Sequence, residues 1–166
     1  GSFCTRENSC RWRALNRVPF KLMRSQELLR VVRSLTEQPT APFHEGAVRD
    51  AILAELRKCP HVTVKHDQYG NLIARYRRGT KKPPTWAFAA HMGHPGWVRD
   101  KDGSWRFLGS VADRYLVNPR RKEFGEFAMW DLPAFELKEN QIHSRACDDL
   151  LGCAEILCLF RELEET

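Results

Sequence analysis

The sequence predicts an α/β fold in which helices flank a mixed sheet and a small β-rich insert interrupts the domain. Three segments, two near the start and one at the end, repeat apolar residues at helical spacing. Between them, apolar residues alternate with polar ones or form short runs, which is typical of strands. The 166 residues have the length of one domain.

Residues 1–22 are expected to be a basic leader that is disordered or not native to the protein. Residues 1–24 hold six Lys or Arg and one Glu, so they carry five of the six net positive charges. The rest is nearly neutral, so nucleic acid is not the expected partner, although a nucleic-acid binder using the leader remains an alternative. No apolar stretch approaches the roughly 20 residues of a membrane helix, and a cytoplasmic location is expected.

The helices are predicted to belong to a partial catalytic domain made of residues 23–96 and 144–166. Leucines and valines repeat on one face over residues 25–37, and a second periodic segment covers residues 44–58. The third predicted helix, residues 147–163, has few charged residues and should be mostly buried.

The first part of this domain also contains strand signals. Two runs with alternating polarity, residues 62–64 and 72–76, enclose the turn sequence Asp-Gln-Tyr-Gly-Asn at 67–71, which predicts a hairpin. Residues 86–90, Trp-Ala-Phe-Ala-Ala, are wholly apolar. They are predicted to form a strand buried on both faces of a mixed or parallel sheet.

Residues 97–143 are predicted to be the β-rich insert. They hold many aromatic residues, scattered glycines and no helical period. The aromatic side chains are expected to form the core of the insert rather than a stacking surface for nucleic acid. Four short runs favour strands, at residues 105–108, 115–117, 126–130 and 134–137.

Two spots carry residues that could do chemistry. His91 follows the predicted buried strand, at the sheet edge where ligands bind in α/β folds, and a neutral imidazole is a metal ligand. Asp148 and Asp149 lie at the start of the last helix, where acids can cap the helix or bind a divalent cation. Each spot alone favours the structural role. Both are expected at the carboxyl edge of the sheet, where side-chain atoms of His91 and Asp148 should converge to within about 3–6 Å.

Together the two spots resemble a known family. A strand, then His-x-x-His-Pro-Gly at 91–96, a β insert and Ala-Cys-Asp-Asp-Leu-x-Gly-Cys-Ala at 146–154 are similar to the deblocking, or tetrahedral (glutamyl-type), aminopeptidases. The resemblance covers about residues 25–164. It implies a phosphorylase/aminopeptidase-like fold and two divalent ions, zinc or cobalt. These ions activate a water that hydrolyses the peptide bond after the N-terminal residue of a peptide.

The resemblance also implies roles for single residues. His91 matches a ligand of one metal, and Asp148 matches the carboxylate that bridges both metals. Asp149 matches its neighbour, which follows a cis peptide bond in the wider clan. Gly93, however, stands where the family has an Asp that holds the metal-binding His, which predicts weak metal binding by His91.

The resemblance places the rest of the active site beyond Thr166. The general-base Glu, further carboxylate ligands and a second His are expected there, so no catalytic residue is assigned in this chain. The chain is therefore expected to be the N-terminal half of such an enzyme and to lack peptidase activity alone. The 97–143 insert is a candidate surface for homo-oligomer formation.

Three further interpretations remain open at this point. One is a related co-catalytic deacylase or carboxypeptidase of the same clan, and another is a non-catalytic remnant that binds a partner through its aromatic insert. The third is the nucleic-acid binder mentioned above. The six cysteines form no C-x-x-C motif, which predicts reduced, partly buried thiols rather than a zinc ribbon.

Overall fold

The computed structural model describes residues 25–80 and 85–166, so the predicted leader at residues 1–22 lies outside the described residues. In the described ranges the architecture is mixed α/β, with three α-helices and three small antiparallel sheets. The helices are α1 (Ser25–Thr36), α2 (Gly46–Leu56) and α3 (Cys147–Glu165). All three predicted helices are thus confirmed, with ends that differ by one or two residues.

The three helices pack around one apolar core. The buried side chains of each helix recur mostly three or four residues apart, which places them on one face. The core includes Val31, Val32 and Leu35 of α1, Val48, Ile52 and Leu56 of α2, and Leu150, Ala154 and Leu157 of α3. Among the described residues, no helix is long and apolar enough to cross a membrane.

The described cysteines are free thiols, as predicted. Three of the four, Cys59, Cys153 and Cys158, are buried. Burial raises the pKa of both Cys153 and Cys158 to about 11, so these two side chains are protonated at neutral pH.

The predicted hairpin is confirmed. Strands β1 (Val62–His66) and β2 (Leu72–Tyr76) pair antiparallel. Asp67 fixes the turn between them, because its Oδ1 accepts hydrogen bonds from the backbone N–H groups of Tyr69 and Asn71, both at 2.9 Å.

The predicted β-rich insert contains two sheets. The first has the strand order β4-β3-β6-β5 and the second is the hairpin β7–β8. Their bounds are β3 (Gly96–Arg99), β4 (Trp105–Leu108), β5 (Arg121–Glu123), β6 (Phe127–Trp130), β7 (Glu136–Lys138) and β8 (Gln141–His143). The predicted strand at residues 115–117 is wrong: a single 3-10 turn at Asp113–Tyr115 occupies this region, and no described strand lies beside Val117 to pair with it.

Successive side chains of a strand point to opposite sides of a sheet. In the four-stranded sheet, apolar side chains lie on both of these faces. On one face the rings of Trp97, Phe107 and Trp130 pack with centroids 4.6–5.5 Å apart, as expected for an aromatic core. On the other face Met129 is fully buried in the core of the helices. The backbone N–H of Thr40 also approaches Met129 Sδ at 3.3 Å. The sheet and the helices therefore share one core.

The prediction of a buried strand at residues 86–90 is wrong. The segment has no regular secondary structure, and the exposed fractions of Trp86 and Phe88 are 82% and 62%. Apolar composition predicts burial, but a central strand also needs neighbouring strands for its backbone hydrogen bonds, and every described strand pairs elsewhere. All pairings in the described residues are antiparallel, so no mixed or parallel sheet occurs there.

Candidate metal site

The two predicted metal ligands lie side by side. His91 Nε2 is 3.2 Å from Asp148 Oδ1, which confirms that the two spots converge. Both side chains face solvent, with exposed fractions of 58% and 89%. Ligand atoms of a tetrahedral zinc, with bonds of about 2.0–2.2 Å, lie roughly 3.3–3.6 Å apart. The pair is therefore spaced to share one divalent cation.

Hydrogen bonds from two sides hold the 91–94 loop in position. The strand that was predicted to precede the loop is absent. Thr40 Oγ1, in the segment between α1 and α2, donates a hydrogen bond of 2.9 Å to the carbonyl of Met92. From α3, the thiol of Cys153 donates to the carbonyl of His91 over 3.5 Å. His91 is thus held against the start of α3, where Asp148 lies.

The two adjacent acids have different surroundings. Asp149 Oδ1 accepts a hydrogen bond of 3.1 Å from the backbone N–H of Gly152, so this carboxylate caps the first turn of α3. A β-carbon at Gly152 would clash with the same oxygen, so glycine leaves room for the cap. Asp148 has a non-helical backbone, and the Asp148–Asp149 peptide bond is cis, as the resemblance implied. Asp149 is the cap, and Asp148 is free to bind a ligand.

The ring of His91 has an acceptor for its second nitrogen. His91 Nδ1 lies 2.9 Å from the backbone carbonyl of Gly93, and a carbonyl only accepts, so Nδ1 carries the proton. In the neutral ring Nε2 then has its lone pair available for a cation. Gly93 lacks the carboxylate that the resembled family has at this position, and its backbone carbonyl is the acceptor for the His91 ring instead.

The absence of a side chain at Gly93 has a further consequence. A β-carbon there would lie 2.9 Å from Glu45 Oε1, an oxygen that accepts a hydrogen bond from the backbone N–H of Phe43 at 3.0 Å. Glu45 therefore occupies the space beside the loop that a side chain at position 93 would need.

Gly93→Asp is expected to lower the free energy of unfolding by about 1–2 kcal/mol, because the new carboxylate meets that of Glu45. Zinc affinity should not rise, since His91 Nδ1 already has an acceptor. Thermal unfolding and zinc calorimetry of the 166-residue chain at one pH measure both quantities. Gly93→Ala is the matched control, because it adds the β-carbon without the charge. A gain in affinity of about tenfold or more would contradict this prediction.

His94 is a residue of the site to which the sequence assigned no role. Its Nδ1 lies 3.1 Å from the backbone carbonyl of Asp148, and its ring meets that of Trp130 edge-on, with centroids 6.3 Å apart. Burial lowers the pKa of His94 below its ordinary 6.5, so the ring is neutral at pH 7 and donates its Nδ1–H to that carbonyl. The His-x-x-His spacing was the signal that could have found it.

The described part of the chain brings two candidate metal ligands together at this point. Across residues 25–80 and 85–166, no group of three or more His, Cys, Asp or Glu side chains could hold a metal ion. A zinc site has three or four protein ligands, so His91 and Asp148 amount to part of one.

Comparison with protein-family models found no match for the chain, and comparison with curated proteins found no significant similarity. The assignment of a function therefore depends on the residues and the geometry of the site.

Proposed function

We propose that this chain is the N-terminal part of a cytoplasmic metal-dependent aminopeptidase, in which His91 and Asp148 are ligands of a pair of zinc or cobalt ions. The observation that carries the proposal is the 3.2 Å separation of His91 Nε2 and Asp148 Oδ1. Both are exposed, and the second ring nitrogen of His91 is held by Gly93. In metal-binding histidines that second nitrogen is usually held in this way.

The chemistry of the two side chains suits a dinuclear site. A pair of divalent ions, when bound, lowers the pKa of a bridging water and polarises the scissile carbonyl of a peptide. Asp148 has two carboxylate oxygens and is almost fully exposed, so one oxygen can bind each ion. His91 contributes a neutral nitrogen, and the Asp148 carboxylate offsets part of the metal charge.

The finer parts of the proposal follow from the resemblance. The fold of the whole enzyme is of the phosphorylase/aminopeptidase type, whose mixed sheet is not among the antiparallel sheets of the described residues, and the aromatic insert is available for self-association. The general base and the remaining ligands come from sequence after Thr166. Sequencing the coding region downstream tests this part: we expect an open frame that encodes a Glu pair and a later His. A stop codon directly after Thr166 would contradict it.

The metal ligands can be tested on the 166-residue chain itself. We expect titration with Zn²⁺ or Co²⁺ to show weak binding that His91→Ala and Asp148→Asn each reduce about tenfold or more, at least the loss that removing an outer-shell partner of a metal ligand typically causes. His66→Ala removes an exposed histidine at the end of β1 and is the matched control. Equal affinities for all four proteins would contradict the proposed site.

The metal-loaded chain is expected not to hydrolyse aminoacyl p-nitroanilides. His91 and Asp148 are too few ligands for two ions, and the proposal places the proton-accepting glutamate outside these residues. The measurement is release of p-nitroaniline by pure protein with added Zn²⁺ or Co²⁺. Release that a chelator abolishes would show that the chain is active alone. The same assay on the extended chain, run beside N-acyl amino acid and carboxypeptidase substrates, separates an aminopeptidase from its clan relatives.

A further inference from the structure

We propose that His94 is a positioning residue that holds the backbone of Asp148 and so fixes the distance between the two metal ligands. The inference rests on the proposed function, because it concerns how that metal site is kept in shape. It assigns a role to a side chain outside the pair that the family resemblance identifies.

The contact between the 91–94 loop and Asp148 carries this inference. His94 Nδ1 reaches the carbonyl of Asp148 over 3.1 Å, and the half-buried ring packs edge-on against Trp130 of β6. The ring therefore has a fixed partner on one side and a hydrogen bond on the other. At Asp148 φ is −91° and ψ is 109°, which is not helical, so the regular backbone geometry of α3 is interrupted at this residue.

The other polar groups of the loop are already engaged. Thr40 binds the carbonyl of Met92, Cys153 binds that of His91, and the carbonyl of Gly93 accepts from the His91 ring. These bonds fix the loop and His91, but none of them touches Asp148. The His94 bond is the one that links the fixed loop to the backbone of the second ligand.

Loss of this bond is therefore expected to act on the metal through Asp148. The Asp148 side chain is exposed, and without the hold on its carbonyl it samples a wider range of positions relative to His91. Outer-shell partners of metal ligands are typically worth about 10–100-fold in metal affinity. We expect an effect in the lower part of that range, because the bond acts on the backbone rather than on the carboxylate.

The experiment is a Co²⁺ titration of the 166-residue chain and three variants, followed by visible absorption, with circular dichroism to verify folding. In His94→Asn the amide N–H overlays Nδ1–H and can keep the bond. In His94→Gln the N–H overlays the other ring nitrogen, and in His94→Phe the donor is absent. We expect Asn to bind Co²⁺ within about threefold of the unsubstituted chain, and Gln and Phe to bind about tenfold more weakly with an altered Co²⁺ spectrum. His66→Asn is the matched control.

The outcomes separate this inference from the proposed function. If Gln and Phe bind as tightly as the unsubstituted chain while Asp148→Asn loses binding, the positioning role is wrong and the proposed site stands. If Asn binds as weakly as Gln, His94 is itself a metal ligand, which also overturns the positioning role. If Asp148→Asn binds like the unsubstituted chain, the proposed function fails whatever the His94 variants do. Because Gln is polar and fits the site, the His94→Gln variant still tests the inference if the His94→Phe variant does not fold.

Discussion

Replacing Glu55 with alanine is expected to lower the free energy of unfolding by about 2–3 kcal/mol, because its carboxylate joins all three helices. Glu55, on α2, is only 6% exposed. It accepts hydrogen bonds from Arg30 of α1 at 2.9 and 3.0 Å, from Lys58 at 2.9 Å and from Arg161 of α3 at 2.6 Å. Breaking a buried ion pair typically costs about 3–5 kcal/mol, and the half-exposed Arg30 and Lys58 recover part of that by hydration.

The lower free energy of unfolding of Glu55→Ala should appear as a melting temperature about 5–10 °C lower, given the usual 2–4 °C per kcal/mol for chains of this size. Glu37→Ala, an exposed acid just after α1, is the matched control and should change the melting temperature by less than about 2 °C. If Glu55→Ala had the same melting temperature as the unsubstituted chain, the ion pairs of Glu55 with its basic partners would contribute nothing to stability.

The contribution of Glu55 should also depend on pH. Desolvation raises the pKa of Glu55, but hydrogen bonds from Arg30 and Lys58 outweigh it, so the pKa in the folded protein lies below the ordinary 4.5. A carboxyl group with a lowered pKa stabilises the fold above its unfolded-state pKa, and this stabilisation is lost as the pH falls through the folded value. The stability difference between the unsubstituted chain and Glu55→Gln should be largest near pH 7 and shrink below about pH 4.5.

Helices and hairpins could be predicted from this sequence because their signals are local. A helix is encoded by apolar residues three and four apart, and the β1–β2 hairpin by Asp67 and the turn residues that follow it. The strand at residues 86–90 could not be predicted correctly, since an apolar run does not say which strand would lie beside it. The prediction of a strand at residues 115–117 failed for the same reason. Tyr115 and Val117 favour β-structure, but no described strand pairs with them, and both are exposed at or just after a 3-10 turn.

The candidate site shows the same division between local and distant information. The convergence of His91 and Asp148 was predicted correctly, although the predicted reason, a shared sheet edge, is not what the described residues show. The loop is held instead by Thr40 and Cys153, which lie 52 and 62 residues from the groups they bind. The acceptor for the His91 ring is a backbone carbonyl, and no side chain in the sequence reveals the direction of a carbonyl.

Met129→Ala is expected to lower the free energy of unfolding by about 3 kcal/mol, because Met129 brings the insert and the helices into one core. Its side chain is fully buried, and large-to-small changes at such positions typically cost about 2–5 kcal/mol. The matched control is Leu137→Ala on β7, where the side chain is 47% exposed and the cost should stay below about 1 kcal/mol.

The two halves of that core can be followed separately in the same Met129→Ala protein. With Trp12 and Trp86 replaced by phenylalanine, tryptophan fluorescence reports on the four-stranded sheet through Trp97, Trp105 and Trp130. Circular dichroism at about 222 nm reports on the helices. If the core is shared, both transitions move together and remain coincident, as in two-state unfolding. A fluorescence transition that moves alone, while the helical transition keeps its midpoint, would mean that the insert folds as a separate unit. In that case Met129 would only touch the helices, and the position of Asp148, just after the insert, would depend on α3 and the 91–94 loop.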